Sequence, residues 1–383
     1  MIIENFPPMY SGHAKHLIRL ARYLVPKGYD LTFLVKRVPK APKCEIREGF
    51  KIIRRGWGRG GATRLSFLLS SLLYILLFGC KYDIFHVHID PDIAIFARFL
   101  GRLYGKKVIN ESVLFGVDDP LAIRRRKTGF LRFLSFRLCN AYVSKSYPIT
   151  RSFDMAGISI EKVYQIPQMV DPAEFEPVTE NDRRKIREKI NLPNDRYIII
   201  SIGMVYHRKG FDILVKAFNE AKQKYPTLFL LIVGPTDNLD DRGLFYSHLL
   251  KMIHSYNLCN DVFFTGEVPN TKQYLQASDL FVFPSRKEGL PSAVIEAMST
   301  GLPCIVSGLD GISTHDIFTE ADTGVVITTE DPFEYAKAIL RFANDSNYSA
   351  KCGKKARDLS QKQFSPDFVV KQYLSLYNEL IHE

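Results

Sequence analysis

Segments with the pattern of a buried strand alternate with segments of helical periodicity along the whole chain. In such an alternation each strand is followed by a crossover helix, which predicts an α/β fold with parallel sheets. Strands are predicted at residues 1–6, 31–35, 84–88, 107–110, 141–143, 197–203, 228–234, 262–266, 280–284 and 304–306. Helices are predicted between them at residues 14–25, 65–78, 93–103, 210–225, 242–256, 292–300, 333–343 and 350–361.

An irregular, proline-rich stretch at residues 165–177 separates the two halves of this pattern. The chain of 383 residues is long enough for two domains, each with its own core. We therefore predict a first domain at residues 1–175 and a second at residues 176–365. A last helix, at about residues 366–382, lies beyond the second domain and is assigned to the first, together with residue 383.

The positive charge of the chain is concentrated in its first half. The chain contains 52 Lys and Arg residues and 41 Asp and Glu residues. Of these, 28 basic residues but only 14 acidic residues lie in residues 1–175. This bias favours an anionic partner, and we expect a membrane surface or a phosphate-bearing acceptor. Nucleic acid is the other usual partner of a basic chain, but no zinc-ligand spacing or RNA-binding signature supports it, and we predict none.

Composition and cysteine use are typical of a globular protein of a reducing compartment. Apolar residues make up 46% of the chain and charged residues 24%. No secretory signal is visible, and no stretch is expected to supply the roughly 20 apolar residues that cross a bilayer. The six cysteines are scattered without a Cys-x-x-Cys pair, which favours free thiols. We expect a cytoplasmic protein, with a peripheral position on the inner face of the cell membrane as a further expectation.

Two glutamates, Glu288 and Glu296, flank the start of a predicted helix in the second half. A strand-like segment precedes Glu288, and apolar positions with helical spacing follow Pro291, which suits the first helical turn. The N–H groups at a helix start form a favourable site for phosphate. Two carboxylates beside such a site suit the hydroxyls of a nucleotide-sugar. The simpler interpretation is one loop glutamate and one solvated helical glutamate.

Two adjacent cations, Arg208 and Lys209, follow another predicted strand and precede a helix. Ligands of open α/β sheets bind at the carboxyl ends of strands. Arginine offers phosphate a planar fork of donors, and lysine offers a point charge. The pair is therefore a candidate for phosphate binding, and a solvated basic turn is the alternative.

The stretch from Glu288 to Glu296 resembles the donor-binding E-x7-E motif of retaining glycosyltransferases of the GT-B fold, family 4 (glycosyl transferases group 1). The resemblance implies two Rossmann-like domains whose parallel sheets face a central cleft, with the C-terminal helix crossing back to the first domain. It implies that Glu288 holds the transferred sugar and Glu296 the ribose. It also implies that Lys209 and Arg208 clamp the diphosphate, with Arg208 taking the role of an arginine that many members have where this chain has Met204.

The same resemblance extends the donor site to loop positions and implies the activity. The implied donor-binding residues are Gly12, Gly203, Arg208, Lys209, Gly266, Val268, Glu288, Gly289, Leu290, Pro291, Ser292 and Glu296, with Arg208, Lys209 and Glu288 as the catalytic ones. The implied reaction moves a sugar from a nucleotide-sugar, for which a UDP-sugar is expected, to a glycan or lipid-linked acceptor of surface polysaccharide. No protein nucleophile and no metal or other cofactor is expected. A nucleotide-sugar epimerase and a non-catalytic sugar-binding protein are the alternatives.

Acceptor contacts are expected from polar residues that follow strands of the first half. The candidates are His13, Lys15, Glu111, Asp118 and Asp119. For Asp118 and Asp119 the alternative is turn capping.

Two further pairs in the first half resemble metal ligands. His86 and His88 could ligate a metal ion, but no further ligand cluster is evident from the sequence. Asp90 and Asp92 imitate the D-x-D metal motif of the other transferase fold, and we interpret this match as accidental because the surrounding pattern is the two-domain one.

Two basic segments of the first half are candidates for membrane contact. Residues 54–64 hold the only tryptophan and precede an uncharged helix at 65–78, for which a core position is expected. Residues 124–137 form a basic amphipathic stretch, for which surface docking and an exposed basic rim remain equal alternatives.

Overall fold

The computed structural model describes residues 1–9, 11–57, 61–126, 128–236, 243–309, 317 and 323–382. The chain divides into two compact units, Met1–Met169 with Pro366–Glu383, and Val170–Ser365. The division lies before residue 170, whereas the sequence places it after residue 175. Val170 belongs to the second unit because its N–H donates to the Phe364 carbonyl at 2.9 Å, and its side chain packs into that unit's core.

The first unit is built around parallel strands. Its strands are β1 (Thr32–Lys36), β2 (Cys44–Arg47), β3 (Phe50–Arg55), β4 (Ile84–His88), β5 (Lys107–Ser112), β6 (Ala141–Ser144) and β7 (Val163–Gln165). Only β2 is antiparallel to its neighbour, β3, and the orders are β1-β3-β2 and β4-β5-β6-β7. Of the predicted strand at residues 1–6, only Ile2 forms bridges, one to Leu34 of β1 and one to Val87 of β4. Ile2 therefore lies between the β1-β3-β2 strands and the β4-β5-β6-β7 strands.

Helices cover both faces of these strands. They are α1 (Gly12–Leu24), α2 (Gly61–Phe78), α3 (Ala94–Leu103), α4 (Pro120–Arg124), α5 (Gly129–Phe136), α6 (Tyr147–Met155) and the C-terminal helix Pro366–His382. Successive residues of a strand point to opposite faces. Phe33 of β1 therefore packs into a core with α1 and the C-terminal helix, and Leu34 packs into a second core with α2, α3 and α6. The predicted return of the C-terminal helix to the first domain is confirmed.

The second unit contains a six-stranded parallel sheet of order β10-β9-β8-β11-β12-β13. Its elements are α7 (Glu180–Lys189), β8 (Tyr197–Ile202), α8 (Phe211–Lys224), β9 (Leu228–Val233), α9 (Leu244–Ser255), β10 (Val262–Phe264), α10 (Lys272–Gln276), β11 (Leu280–Phe283), α11 (Ser292–Ser299), β12 (Cys304–Ser307), β13 (Val325–Ile327), and the helices Pro332–Asn344 and Ser346–Phe364. Numbered within the unit, the strand order is 3-2-1-4-5-6, the doubly wound order of dinucleotide-binding folds.

Two expectations about α2 are wrong. By length and composition, Ala62–Lys81 is apolar enough to cross a membrane, so the chain does contain one such stretch. Phe67, Tyr74 and Ile75 of this helix are buried, but most of its leucines are exposed, so α2 is not the core helix that the sequence favours. Of the basic segment before it, Arg54 is buried and donates to the Pro42 and Pro7 carbonyls, while residues 58–60 lie outside the described residues. Residue 127 of the second basic segment also lies outside them.

Candidate functional site

The candidate site lies at the carboxyl ends of β8 and β11. These strands, the first and the fourth of the second unit, are neighbours in the sheet, and the strand order reverses between them. One loop leads from β8 into α8, and another leads from β11 into α11. Ligands of open α/β sheets bind in the crevice at such a reversal.

Side chains from both loops meet at one carboxylate oxygen. Arg208 Nη1 donates to Glu288 Oε1 at 2.7 Å, and Lys209 Nζ donates to the same atom at 2.8 Å. The Ser285 hydroxyl donates to it at 3.0 Å. Arg208 is held from its other side by the Tyr206 hydroxyl, which lies 2.8 Å from Nε. The two cations and one anion leave a net charge of +1, which favours an anionic ligand at this point.

Backbone contacts hold the two loops together. The N–H of Arg286 donates to the Arg208 carbonyl at 2.8 Å, and the Ser285 hydroxyl oxygen lies 3.1 Å from the same carbonyl oxygen. Gly210 follows with a φ of +70°, and a Cβ at this position would lie 2.1 Å from the Pro284 carbonyl oxygen. Only glycine therefore permits this approach of the two loops.

The Arg286 side chain reinforces the junction. It donates to both carboxylate oxygens of Asp212, at 2.9 and 2.8 Å, and to the His207 carbonyl at 2.7 Å. Burial raises the pKa of Asp212, but the hydrogen bonds and charge of Arg286 more than offset this, so the pKa lies below its usual value. The ionised pair ties the loop after β11 to the first turn of α8.

Glycines occupy the ends of three neighbouring strands beside this junction. A Cβ on Gly203, after β8, would lie 3.1 Å from Lys209 Cε. Glycine at this position therefore avoids a close contact with the Lys209 side chain where it crosses the end of the strand. Gly234, after β9, has a φ of +145°, and its Cβ would lie 2.1 Å from the Gly203 carbonyl oxygen. The Gly234 N–H donates to the carbonyl of Gly266, which follows β10 with a φ of +68°.

Burial and charge act in opposite directions on the central ion pair. Burial lowers the pKa of Lys209, the Glu288 carboxylate opposes this, and the net pKa lies below the usual lysine value. Burial raises the pKa of Glu288, but the charges of Lys209 and Arg208 more than offset it, so the pKa lies below the usual glutamate value. Glu288 is therefore ionised at neutral pH, and its Oε1 already accepts three hydrogen bonds.

The second glutamate lies one turn inside α11. This helix begins at Ser292, so Pro291 occupies the N-cap position and not the predicted first turn. Glu296 is half-buried and accepts a hydrogen bond from the Thr271 hydroxyl at 3.3 Å. The N–H groups of Ser292 and Ala293, the first two residues of α11, have no acceptor within the helix, whereas that of Val294 donates to the Pro291 carbonyl at 3.1 Å. The predicted phosphate position and both glutamates therefore belong to one loop–helix junction.

The other predicted donor residues differ in exposure. Gly289 and Leu290 are buried in the loop before α11, and Val268 is half-buried beside the core of the second unit. Gly12 belongs to the first unit, where it is the exposed first residue of α1, and a Cβ there would meet nothing within 4 Å. The structure therefore gives Gly12 no steric requirement for glycine.

A second polar cluster surrounds Glu111 at the carboxyl end of β5. Lys145 Nζ lies 2.9 Å from Glu111 Oε1, and Tyr373 of the C-terminal helix donates to Oε2 at 2.8 Å. His13 Nε2 lies 3.3 Å from Oε1, and His88 Nδ1 lies 3.6 Å from Oε2. All five side chains are buried. The structure thus brings together two predicted acceptor residues, His13 and Glu111, in one buried network.

Three members of this cluster are potential metal ligands. His13, His88 and Glu111 offer ligand atoms within 4.8 Å of one another, so the expectation that no ligand cluster accompanies the paired histidines is wrong. The ammonium of Lys145 already balances the carboxylate, and a divalent cation would add two positive charges to a buried site. A reaction without a metal stays a prediction.

The aspartates of the first unit bind backbone or arginine donors. Asp118 accepts the N–H groups of residues 113 and 114 at 2.8 and 2.7 Å, and Asp119 caps α4, both as the capping alternative expects. Burial raises the pKa of Asp118 to about 7. Asp90 and Asp92 of the apparent D-x-D motif pair with arginines, among them Arg132. Lys15 is exposed on α1.

Several residues of the two clusters were missed in the sequence. Lys145 and Gly234 both follow the carboxyl end of a strand, which is the signal that selected Glu111 and Gly203. Ser285 likewise follows β11. Tyr373 has no local signal, because its contact joins the C-terminal helix to residues more than 200 positions earlier.

Comparison with known proteins agrees with this architecture. A family model described as "Glycosyl transferases group 1" matches residues 182–359, and one described as "Glycosyltransferase Family 4" matches residues 10–174. The lipopolysaccharide core biosynthesis mannosyltransferase LpsB of Rhizobium meliloti is 24% identical over 384 residues, covering 100% of this chain and 97% of that protein. The UDP-Gal:alpha-D-GlcNAc-diphosphoundecaprenol alpha-1,3-galactosyltransferase of Escherichia coli is 28% identical over 284 residues, covering 71% of this chain and 69% of that protein.

Solved structures share the fold over nearly the whole chain. HepE of Anabaena, in complex with UDP, superposes with a TM-score of 0.78 at 15% identity, covering 99% of this chain and 98% of that one. The sucrose-phosphate synthase of Thermosynechococcus elongatus superposes with a TM-score of 0.79 at 21% identity, covering 99% and 96% of the two chains. At these identities the likeness concerns the fold.

Proposed function

Because this chain belongs to the family 4 (group 1) glycosyltransferases of the GT-B fold, we propose that it moves a sugar, with retained configuration, from a UDP-sugar to a glycan or lipid-linked acceptor of surface polysaccharide. One observation carries the donor part of this proposal. Arg208 and Lys209 converge on Glu288 at the reversal point of the second unit's sheet. A nucleoside diphosphate suits such a site through its negative charge and its phosphate oxygens. The E. coli relative, named for UDP-Gal and a diphosphoundecaprenol acceptor, supports the choice of nucleotide and of acceptor class.

In the proposed reaction the cations act on the leaving group. Negative charge builds on the diphosphate as the glycosidic bond breaks, and Arg208, Lys209 and the N–H groups at the start of α11 stabilise it. Donors held in place before the reaction lower the barrier because they need no rearrangement as charge develops. Glu288 positions both cations and also accepts hydrogen bonds from the sugar hydroxyls, while Glu296 binds the ribose.

The acceptor attacks from the face that the diphosphate leaves, so no residue of the chain becomes covalently bound. The contacts of Glu288 support this part of the proposal. Arg208, Lys209 and Ser285 engage Glu288 Oε1, and the two cations hold the pKa of the whole carboxyl below its usual value, which makes both of its oxygens weaker nucleophiles.

We place the reaction in the cytoplasm, on the inner face of the cell membrane. In the described part of the chain the cysteines carry thiols and no disulfide joins them, and Cys44, Cys80 and Cys259 are exposed, which suits a reducing compartment. A lipid-linked acceptor would be met at that face.

A thermal-shift screen of nucleotide-sugars followed by transfer assays tests the proposal. A UDP-sugar should raise the Tm of the wild-type protein and not that of Lys209→Ala. With a diphosphoundecaprenol-linked acceptor, NMR of the product should show the anomeric configuration of the donor, and EDTA should leave the rate unchanged. The absence of a shift with every UDP-sugar would overturn the donor assignment, and conversion of the donor without any acceptor would favour an epimerase.

A further inference from the structure

One face of the first unit exposes an unusual number of large apolar side chains. Helices α2, α3 and α5 cover the same face of the strands, with α2 packed beside α3 and α3 beside α5. Their outward positions carry leucine and phenylalanine where a solvated helix carries polar residues. In the described part of the chain the exposed members of this α2–α3–α5 face are Leu65, Leu69, Leu73, Leu76, Leu77, Phe78, Phe96, Phe99, Leu103, Phe130, Leu131 and Leu134.

Helix α2 shows the pattern most clearly. Phe67 and Ile75 point into the core, whereas Leu65, Leu69 and Leu73 form a stripe on the opposite side, each more than half exposed. A helix that is apolar on all sides is normally buried on all sides. Soluble monomers rarely expose a contiguous apolar patch of more than a few hundred Å². The outward side of α2 therefore suits a partner that supplies an apolar medium.

Cations stand at the ends of helices of this face, and the three helices themselves contain no acidic residue. Neither residues 49–82 nor residues 120–153 contain a single Asp or Glu. Exposed cations stand at the ends of the contributing helices and of α4, namely Lys81, Arg102, Arg124, Arg125 and Arg137. Two of them lie over aromatic rings of the same region, with Lys81 Nζ 5.5 Å from the Phe78 ring and Arg124 Cζ 5.6 Å from the Phe133 ring.

We propose that the α2–α3–α5 face docks on the surface of a bilayer that contains anionic phospholipid. The leucine and phenylalanine side chains enter the region between headgroups and acyl chains, and the cations bind lipid phosphates. Helix α2 lies along the membrane and does not cross it, because its Phe67, Tyr74 and Ile75 remain in the core. A second copy of the chain is a poorer partner, because a two-fold interface would bring the same cations face to face. Docking is independent of the donor site, so either proposal can fail alone.

The single tryptophan tests this proposal in the wild-type protein. Trp57 is 59% exposed, and its backbone is joined to α2. The backbone N–H of Trp57 donates to the Ser66 hydroxyl at 2.8 Å, and the Trp57 carbonyl accepts from that hydroxyl at 2.6 Å. Vesicles of phosphatidylglycerol and phosphatidylcholine should shift its emission to the blue, and brominated acyl chains should quench it. Phosphatidylcholine alone should do neither. Unchanged emission with the anionic vesicles would overturn the proposal.

Sedimentation with the same vesicles separates the contribution of the apolar side chains from that of the cations. The variant Leu69→Gln/Leu73→Gln/Phe99→Ser and the variant Arg102→Gln/Arg124→Gln/Arg125→Gln should each lower the partition coefficient at least tenfold. The matched control Leu244→Gln/Phe263→Ser/Phe333→Ser removes exposed apolar side chains from the second unit and should bind as the wild type does. Equal binding by the leucine variant and the control would contradict docking by this face. Loss of a wild-type dimer in light scattering, without vesicle binding, would assign the face to a second copy instead.

Discussion

Lys209 Nζ and Glu288 Oε1 lie 2.8 Å apart, although the two residues belong to loops that follow different strands of the sheet. Burial favours the neutral amine of Lys209, and the carboxylate opposes that effect. The residue proposed to hold the sugar therefore also keeps the diphosphate-binding cation charged. Loss of Glu288 is expected to impair both the binding of the transferred sugar and the binding of the diphosphate by Lys209.

Glu288→Gln should move the alkaline loss of UDP binding to lower pH. UDP lacks the transferred sugar, so its affinity reports on the cations and not on the hydroxyl contacts proposed for Glu288. Removing the carboxylate leaves burial to lower the pKa of Lys209 further, so the amine loses its proton at a lower pH than in the wild type. Calorimetric titration with UDP from neutral pH to about pH 10, near the usual lysine pKa, measures the shift. Identical pH profiles would contradict the coupling.

Lys209→Ala should lower turnover by a factor on the order of 10² to 10³, the loss expected for a donor that stabilises charge on a leaving group. Lys216→Ala is the control, because Lys216 is an exposed lysine of the helix that follows, α8. Steady-state kinetics with the identified donor and acceptor should show a lower kcat together with a higher KM for the donor, because the cation is proposed to bind the diphosphate both before and during bond cleavage. Wild-type kcat in Lys209→Ala would refute the clamp.

Glu296→Ala should abolish the preference for ribose over deoxyribose. A hydrogen bond to a charged group contributes about 1.5–3 kcal/mol, so wild-type protein should bind UDP roughly 10- to 100-fold more tightly than an analogue without the bonded hydroxyl. The variant should bind both ligands alike and as weakly as the wild type binds the analogue. The 2′-deoxy and 3′-deoxy analogues of UDP, compared by calorimetry, identify the hydroxyl. A variant that retains the preference would leave Glu296 as a solvated helical residue.

Apolar runs made most of the strands predictable. In β8, β9 and β11 nearly every side chain is buried on both faces of a parallel sheet, and such runs stand out in the sequence. Four of the described strands escaped prediction. The Cys44–Arg47 sequence of β2 is largely polar and exposed, β3 mixes its apolar residues with Lys51, Arg54 and Arg55, and β7 and β13 are short, with three residues each. The first predicted strand has the right position, but only Ile2 forms bridges.

The candidate site was predictable in its positions and not in its contacts. Strand ends and the helix start at Ser292 identified Lys209, Glu288 and Glu296 individually. The ion pair between Lys209 and Glu288 joins residues 79 positions apart, and no local pattern specifies such a contact. The same limit explains the cluster around Glu111, whose lysine comes from the end of another strand and whose tyrosine comes from the C-terminal helix.

Lys145→Met should destabilise the first unit by about 3–5 kcal/mol, because it leaves the buried carboxylate of Glu111 without its cation. The double variant Lys145→Met/Glu111→Gln removes both charges and should recover most of this loss. Urea unfolding followed through Trp57, the only tryptophan, reports on the first unit. Additive losses in the double variant would show that the two groups do not interact.

The buried histidines of this cluster should make the first unit sensitive to acid. Besides His13 and His88 the cluster includes His86, whose Nε2 lies 3.2 Å from Glu111 Oε2, and His16, whose Nε2 lies 3.4 Å from Lys145 Nζ. Burial lowers the pKa of His16 and His86, and it lowers the pKa of His13 and His88 to about 3. In the unfolded chain these groups titrate near 6.5, so below that pH the unfolded state binds protons that the folded state does not, and stability falls as the pH falls. His13 and His88 should each contribute up to about 1.4 kcal/mol per pH unit between about pH 6.5 and their folded-state pKa of about 3. The urea midpoint should therefore drop between about pH 7 and about pH 5, and it should drop less in His88→Gln. A midpoint that does not change with pH would mean that these side chains take up protons in the folded protein, with Glu111 as the anion that binds them.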